Sequence, residues 1–224
     1  MIRLDKYLAN LGLISRRTAD KIFKSTEILV NGTITTKSDT KITYGDVITF
    51  DGIEIDVLES VHVILYKPAG YISSDEDENK YLSYRHLLQD CPYVNMLHVA
   101  GRLDHDTEGL LMASTSGTFI HQVISPKLNK EKEYEVHLGR NISDKDLGEL
   151  AKGVTLDDGY HTLPAKVQRL EPKKILLTIT EGKFHQVKRM LEAVDNQVIY
   201  LKRLRIGEWT LEGLEKGKWK YIEK

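Results

Sequence analysis

The sequence predicts an α+β protein in which a small N-terminal domain, residues 1–58, precedes a larger domain, residues 59–224. Three observations predict this fold class. Apolar residues at helical spacing open the chain, two hairpin turns follow them, and strands are interleaved with helices from Val61 onward. With 224 residues, 41% of them hydrophobic, the chain can bury a sizeable core or two unequal ones.

The small domain begins with two short helices. Apolar residues recur there at helical spacing, and Gly12 interrupts them. Ser15 is in position to cap the second helix. The apolar positions are Leu4, Leu8 and Leu11 in the first helix and Ala19, Ile22 and Phe23 in the second.

Two hairpins follow the helices. Residues 28–30 form a predicted strand that ends at Asn31-Gly32, and residues 47–50 form another that ends at Asp51-Gly52. Asn-Gly and Asp-Gly favour the tight turns of hairpins because both of their central residues adopt positive φ readily. The sequence therefore predicts a small module that ends near residue 58.

The larger domain mixes strands and helices. We predict strands at 61–66 and 175–179 and helices at 144–152 and 185–193. The helix at 144–152 has a Ser143 cap, Asp146 three residues later and Gly153 at its end. The acidic stretch 73–80 lacks periodicity, which predicts an exposed and mobile loop.

Composition argues against a strongly basic nucleic-acid-binding protein, because 32 basic and 33 acidic residues leave a formal net charge of -1. No apolar run approaches the roughly 18 residues of a membrane span. The charged N terminus also lacks the apolar stretch of a secretory signal. The single cysteine, Cys91, fits a reducing compartment and is interpreted as a packing residue. We expect a cytoplasmic protein with no membrane partner.

Basic residues are concentrated in the first two dozen positions. Most charge runs of this kind are solvated helix faces. The cluster consists of Arg3, Lys6, Arg16, Arg17, Lys21 and Lys24. Its sequence, RLDKYLANLGLISRRTADKIF followed by ILVNG, resembles the alpha-L RNA-binding domain shared with a ribosomal small-subunit protein. The resemblance implies that paired helices present Arg16, Arg17 and Lys21 to structured RNA, where neutralised phosphates give salt-sensitive affinity.

The most informative motif is GRLDHDTEGLL, residues 101–111, which places Asp104 in a Gly-bounded loop beside Arg102. Such an aspartate could simply bond to neighbouring amides. A metal site at Asp104, His105 and Asp106 is disfavoured, because adjacent residues seldom converge on one ion. A glycosidase needs a second carboxylate, and the sequence identifies no partner for Asp104.

Four elements in order resemble the pseudouridine synthases, specifically the RsuA branch, in which an alpha-L module precedes the catalytic domain. They are KPAG at 67–70, GRLDHDTEGLL at 101–111, KEY at 132–134 and EGKFHQVKRML at 181–191. The resemblance implies a catalytic domain with a central, mainly antiparallel mixed sheet flanked by helices. It also implies an isomerase that needs no cofactor, because the reaction oxidises nothing.

Carried over by position, the resemblance implies that Asp104 is the nucleophile during cleavage of the uridine N-glycosidic bond. Attack on the ribose and attack on the uracil both remain open. Tyr134 is implied to stack on the target base and to assist removal of the ring proton, although a core aromatic on a strand has the same spacing. Lys188, with Arg189 as the adjacent candidate, is implied to be the cation that pairs with the nucleophile.

Arg102 resembles a motif arginine that fills the gap left by the extruded uridine, and bracing of its own loop is the alternative. The candidate RNA-binding residues are Arg3, Lys6, Arg16, Arg17, Lys21, Arg102, Lys183 and Arg189. The string FHQVKR at 184–189 resembles the small-subunit form of the last motif.

The resemblance therefore favours a uridine in 16S ribosomal RNA, of the uridine 516 type. A large-subunit enzyme of the same family and a non-catalytic RNA-binding ribosome-assembly protein are the alternatives. We expect a monomer whose partner is ribosomal RNA, either free or within an assembling particle.

Overall fold

The N-terminal module contains two helices packed on a small sheet. The computed structural model describes residues 1–222. The elements of the module are β1 (Ile2–Arg3), α1 (Leu4–Asn10), α2 (Ala19–Ser25), β2 (Ile28–Val30), β3 (Thr33–Ile34), β4 (Lys41–Ile42), β5 (Val47–Phe50) and β6 (Ile53–Asp56). Strands β3, β2, β5 and β6 form one antiparallel sheet in that order, and β1 pairs with β4.

Both predicted hairpin turns are confirmed. Asn31 and Gly32 have φ angles of 50° and 76°, and Asp51 and Gly52 have φ angles of 49° and 79°. These left-handed conformations match the right-handed twist of the paired strands.

The predicted cap of the second helix is wrong. The helix begins at Ala19, and the side chain of Thr18, the residue before it, makes no capping hydrogen bond. The Ser15 hydroxyl instead accepts a hydrogen bond from the Arg17 amide at 3.2 Å. Ser15 therefore stabilises a turn that precedes the helix, a local bond that competes with helical capping.

The larger domain is built on one extended sheet. The strands of this sheet are β7 (His62–Lys67), β10 (His98–Val99), β11 (Glu108–Ser114), β12 (Lys132–Leu138), β13 (Lys166–Glu171), β14 (Lys174–Ile179), β15 (Val198–Ile206), β16 (Trp209–Thr210) and β17 (Trp219–Tyr221). The domain also contains a separate sheet of two parallel strands, β8 (Tyr71–Ile72) and β9 (Leu82–Ser83). Its helices are α3 (Gly117–Ile124), α4 (Asp144–Lys152) and α5 (Gln186–Glu192), with short 3₁₀ turns at Tyr84–Leu88, Val94–Met96 and Pro126–Leu128.

The strand order of this sheet is β13-β14-β12-β15-β11-β7-β17, with β10 beside β11 and β16 beside β15. The pairs are antiparallel except for β11 and β15, which run parallel. The predicted α+β class, with a mainly antiparallel mixed sheet and flanking helices, is confirmed. The predicted capping box of α4 is also present, with reciprocal bonds between Ser143 and Asp146.

Strand β11 is buried along its whole length because apolar side chains cover both faces of the sheet. Leu111 and Ala113 join the main core, which continues into the N-terminal module. Leu110 and Met112 point to the opposite face and pack in a second cluster with Val123 of α3.

The two modules are in direct contact. The Asn95 side-chain amide donates to the Leu11 carbonyl at 2.9 Å. The Tyr93 hydroxyl donates to the Asp56 carbonyl at 2.9 Å. A Cβ added at Gly12, whose φ is +81°, would lie 2.3 Å from the Asn95 amide nitrogen. Gly12 therefore ends α1 and also leaves room for the contact between the modules.

The acidic segment 73–80 is exposed from Glu76 to Lys80, as predicted, but hydrogen bonds hold several of its residues in place. Ser73 is buried, and its hydroxyl both donates to the Leu103 carbonyl and accepts from the Leu103 amide, each at 2.9 Å. Asp75 accepts from the Tyr84 hydroxyl at 2.9 Å, and Asp77 accepts from the Ser83 amide at 2.7 Å. These polar contacts follow no repeat, so the lack of periodicity did not distinguish this segment from a free loop.

Candidate active site

A cleft of about 860 Å³ opens over the larger sheet and contains the residues of the central motif. Its size is typical of a site for one small molecule or one nucleotide. The cleft is lined by Arg102, Asp104, Tyr134, His185, Lys188 and Arg203, among others. It therefore brings together the three predicted catalytic residues, which are 30 and 54 positions apart along the chain.

Strand pairing explains this convergence. Strand β15 lies between β11, which follows the Asp104 loop, and β12, which carries Tyr134. Arg203 of β15 is paired with Gly109 on one side and with Tyr134 on the other. Directly paired residues point to the same face of a sheet. Arg203 therefore connects the segment of Asp104 to the strand of Tyr134.

The loop that carries Asp104 is held by backbone contacts on both sides of the aspartate. The Ser73 hydroxyl binds both polar groups of the Leu103 backbone, and the Gly70 amide donates to the His105 carbonyl at 2.7 Å. Arg203 donates to the Arg102 carbonyl at 3.2 Å and to the Leu110 carbonyl at 2.8 Å. These bonds fix the position from which the Asp104 carboxylate enters the cleft.

The Asp104 carboxylate is partly exposed and contacts two basic side chains. Lys188 Nζ lies 3.0 Å from Asp104 Oδ2, and His185 Nε2 lies 3.4 Å from Oδ1. Lys188 also donates to Asp106 at 2.8 and 3.0 Å. Burial lowers the pKa of Lys188, but its hydrogen bonds to Asp106 and Asp104 outweigh burial and raise that pKa above the usual value. Lys188 therefore stays protonated between two carboxylates.

Tyr134 forms part of the cleft wall. It is buried on β12 next to a bulge, where the register between β12 and β15 shifts. A bulge rotates a side chain relative to the regular pleat. The tyrosine is thus buried, as a core aromatic would be, and also lines the cleft.

Buried polar side chains hold the turn between β14 and α5 in place. Gln186 donates to Glu181 at 2.7 Å and accepts from the Lys183 amide at 2.8 Å. Glu181 also accepts from the Tyr160 hydroxyl at 2.7 Å and from the Leu163 amide at 2.9 Å. His185 has a left-handed backbone with φ of 48°. The turn therefore presents His185 to Asp104 from a fixed backbone.

Sequence reasoning missed three features of the cleft. It gave no role to Arg203, which is 2% exposed and whose Nη2 has no hydrogen-bond partner among residues 1–222. It did not place His185 beside Asp104, and it considered Asp106 only as a metal ligand. His185 and Asp106 could have been found from their positions, because each lies within three residues of Lys188 or Asp104 in a motif. Arg203 gave no such signal, because its strand also carries Lys202 and Arg205.

Two lysines of the quoted motifs are also buried or half-buried. Lys67 is fully buried and donates to the Pro68 carbonyl at 3.0 Å and the Tyr71 carbonyl at 2.7 Å. Burial lowers the pKa of Lys67 to about 8, against the attraction of Asp106, Asp104 and Glu108. Burial also lowers the pKa of Lys132, and the charge of Arg203 adds to this effect.

The candidate RNA-binding residues fall into two groups. Arg3 forms a two-bond ion pair with Asp5, and the Arg189 guanidinium lies 2.7 Å from Asp158 and also pairs with Asp157. The Lys183 ammonium lies 4.2 Å from the centre of the Tyr160 ring. Within the described chain, no hydrogen bond or ion pair engages the exposed charged groups of the remaining candidates. These are Lys6, Arg16, Arg17, Lys21 and Arg102.

Among residues 1–222, no group of three or more His, Cys, Asp or Glu side chains is arranged to hold a metal ion. The same residues include no helix that is long and apolar enough to cross a membrane.

Two family models match the chain. The model described as RNA pseudouridylate synthase matches residues 61–193, and the model described as S4 domain matches residues 2–48. The first match covers the Asp104 loop, Tyr134 and Lys188.

Similar proteins extend over nearly the whole chain. A protein of Vibrio parahaemolyticus named ribosomal small subunit pseudouridine synthase A is 40% identical over 99% of this chain and 96% of its own length. A Bacillus subtilis protein named ribosomal large subunit pseudouridine synthase B is 36% identical over 97% of this chain and 90% of its own length. A solved structure titled crystal structure of pseudouridylate synthase superimposes with a TM-score of 0.69 at 34% identity, covering 100% of this chain and 96% of that one.

Proposed function

The chain belongs to the RNA pseudouridylate synthase family, and we propose that it converts one uridine of small-subunit ribosomal RNA to pseudouridine with Asp104 as the nucleophile. The observation that carries this proposal is the contact between Asp104 and Lys188 within a cleft that Tyr134 also lines.

The proposed reaction breaks one bond and forms another between the same two fragments. The N1–C1′ bond of the uridine breaks while Asp104 holds one fragment covalently, on either the ribose or the uracil. The base then turns, C5 bonds to C1′, the C5 proton leaves to solvent and N1 gains a proton. Asp104 is released unchanged, so the sum is an isomerisation that requires no cofactor.

The electrostatics of the cleft support this assignment. An ionised carboxylate can bond covalently and can stabilise positive charge on the sugar. Lys188 is held protonated by Asp106 as well as Asp104, and its ammonium group fixes the orientation of the proposed nucleophile. Tyr134 is the wall on which we propose that the uracil stacks.

Extrusion of the uridine leaves a gap in the base stack of the RNA. Unstacking and unpairing the base costs a few kcal/mol. We propose that Arg102 fills this gap. The bonds from Arg203 and Ser73 already brace the loop, and the exposed Arg102 guanidinium makes no hydrogen bond or ion pair with any described residue.

The proposed substrate is a uridine of the 516 type in 16S ribosomal RNA. The name of the Vibrio relative supports the small subunit. The Bacillus relative named for the large subunit makes large-subunit RNA the second candidate. We further propose a cytoplasmic monomer that acts on RNA, free or within an assembling particle, through the S4 module and its basic residues.

Substitution of Asp104 by Asn tests the reaction. We expect Asp104→Asn to abolish pseudouridine formation while RNA affinity changes less than about twofold, because the amide keeps the shape and loses the nucleophile. Carbodiimide mapping of pseudouridines in ribosomal RNA, from cells with and without the active protein, measures activity and site together. Glu149→Gln on the surface of α4 is the matched control.

Three outcomes of this mapping have different meanings. Activity retained by the Asn variant would overturn the nucleophile assignment. A missing pseudouridine in large-subunit RNA would move the substrate to the second candidate. Unchanged maps in both ribosomal RNAs would overturn the proposed substrate class.

A further inference from the structure

We propose that Phe184 is a stacking platform for an unpaired RNA base next to the extruded uridine. The inference rests on the proposed function and adds to it a binding position for a second nucleotide.

Phe184 is exposed to an extent that packing does not explain. Its side chain is 70% exposed and lines the cleft. The ring stacks on His185 with centroids 3.8 Å apart and planes inclined by 19°. Covering an apolar ring of this size is favourable, because it removes apolar surface from water. The cleft therefore has an open aromatic surface at its rim.

The backbone that carries this ring is held in place. The Arg189 guanidinium donates to the Phe184 carbonyl at 3.3 Å, and Gln186 accepts from the Lys183 amide. The His185 backbone is left-handed, a conformation that few non-glycine residues adopt. A ring fixed before binding loses little conformational freedom when a base covers it.

The surrounding charges identify the partner as RNA. Lys183 precedes Phe184, and Arg102, whose guanidinium makes no hydrogen bond or ion pair with a described residue, lines the same cleft. Cations next to an exposed aromatic ring are the combination that binds single-stranded nucleic acid, since cations contact phosphates while bases stack on the ring. Specific recognition of RNA uses unstacked bases in the same way.

The order of the rings assigns the base to a neighbour of the reacting uridine. His185 lies between Phe184 and Asp104, because its Nε2 is 3.4 Å from the carboxylate and its ring covers one side of Phe184. A base on the open side of Phe184 is therefore farther from Asp104 than the reacting uridine. We assign this place to the adjacent nucleotide.

Kinetics of Phe184 variants test the platform. The probe is a synthetic RNA fragment copied from small-subunit ribosomal RNA around uridine 516, with tritium at C5 of that uridine. Stacking of one base contributes about 1–3 kcal/mol, so Phe184→Ala and Phe184→Leu should raise KM by about 5- to 150-fold. We expect kcat to change much less, and Phe184→Tyr to keep the original KM.

Ile199→Ala is the matched control, because Ile199 is 63% exposed on β15 and does not line the cleft. An unchanged KM in the Ala and Leu variants would overturn the platform. The same conclusion would follow if kcat and thermal stability fell while KM stayed constant, since this pattern indicates a structural role.

A fluorescent base distinguishes failure of the platform from failure of the proposed function. Two RNAs carry 2-aminopurine on the 5′ or the 3′ side of the target uridine. The unmodified protein should quench one of them, and Phe184→Leu should lose that quenching while Phe184→Tyr retains it. Quenching that is independent of Phe184 would overturn the platform. Absence of tritium release by the unmodified protein would instead contradict the proposed reaction on this RNA, and the fluorescence would still decide the platform.

Discussion

The Asp104 carboxylate obtains its cation from Lys188, which is 84 residues away in the sequence and binds Asp106 as well. Lysine lacks the planar fork of arginine, and a lysine that binds one carboxylate is held loosely. The second carboxylate, Asp106, compensates by holding the ammonium group from another side. The pairing of Asp104 with Lys188 was predictable from motif resemblance, whereas the shared contact with Asp106 depends on the path of the loop.

Lys67 leads to a prediction about stability and pH. Its pKa is about 8 in the folded protein and 10.5 in the unfolded chain, because burial disfavours the ammonium ion. Between these two pH values the unfolded chain binds the extra proton, so raising the pH stabilises the folded state. The full difference corresponds to about 3 kcal/mol. A neutral amine still donates two N–H groups to the Pro68 and Tyr71 carbonyls.

Urea unfolding between pH 7.5 and 10.5 measures this effect. The Lys67→Met variant shares every other titrating group and is the reference. We expect the free energy of unfolding of the unmodified protein to rise with pH relative to that variant. Parallel profiles would mean that Lys67 does not change its pKa on folding.

At the scale of elements, the parallel pairing of β11 and β15 depends on Gly109. The φ of Gly109 is +113°, and an added Cβ would lie 2.2 Å from the Arg203 carbonyl oxygen. Backbone strain and overpacking each cost about 1–3 kcal/mol. We expect Gly109→Ala to lower the free energy of unfolding by at least about 2 kcal/mol and to reduce activity through movement of the Asp104 loop.

Gly148→Ala on α4 is the matched control, since an added Cβ meets no atom within 4 Å there. Replacing an exposed helical glycine by alanine stabilises a helix by up to about 1 kcal/mol. Equilibrium unfolding in urea compares the two variants. Equal stabilities would contradict the close approach of the strands at Gly109.

Elements with local signals were predictable, and elements defined by distant contacts were not. The Asn31-Gly32 and Asp51-Gly52 turns and the capping box at Ser143 each depend on residues within four positions. Ser15 was misassigned because the helix begins only at Ala19, so the bond between the Ser15 hydroxyl and the Arg17 amide lies in the turn that precedes it. The parallel pairing of Gly109 with Arg203 leaves no local pattern.

At the scale of the whole molecule, the cation cluster on the paired helices leads to a prediction about salt. Arg16 and Arg17 are exposed and make no side-chain hydrogen bond or ion pair with the residues described. Removing one cation that neutralises a phosphate lowers the dependence of log affinity on log salt by about 1. We expect Arg16→Gln with Arg17→Gln to weaken RNA binding and to reduce this slope by up to about 2.

Lys152→Gln with Lys173→Gln removes the same charge from exposed positions outside the cleft. Filter binding of ribosomal RNA from 50 to 300 mM salt compares the two double variants. The same slope for both would exclude a direct phosphate contact at Arg16 and Arg17.

The boundary between residues 58 and 59 stays a prediction, because one apolar core runs through both modules.

The contact between Asn95 and Leu11 makes the cleft and the N-terminal helices parts of one frame. An RNA that touches both must carry its anchoring phosphates and its reacting uridine at a single spacing. For the proposed reaction, only an RNA with this spacing would contact the N-terminal helices and the cleft at the same time. One nucleotide inserted between these two points would have to loop out before Asp104 could reach its target.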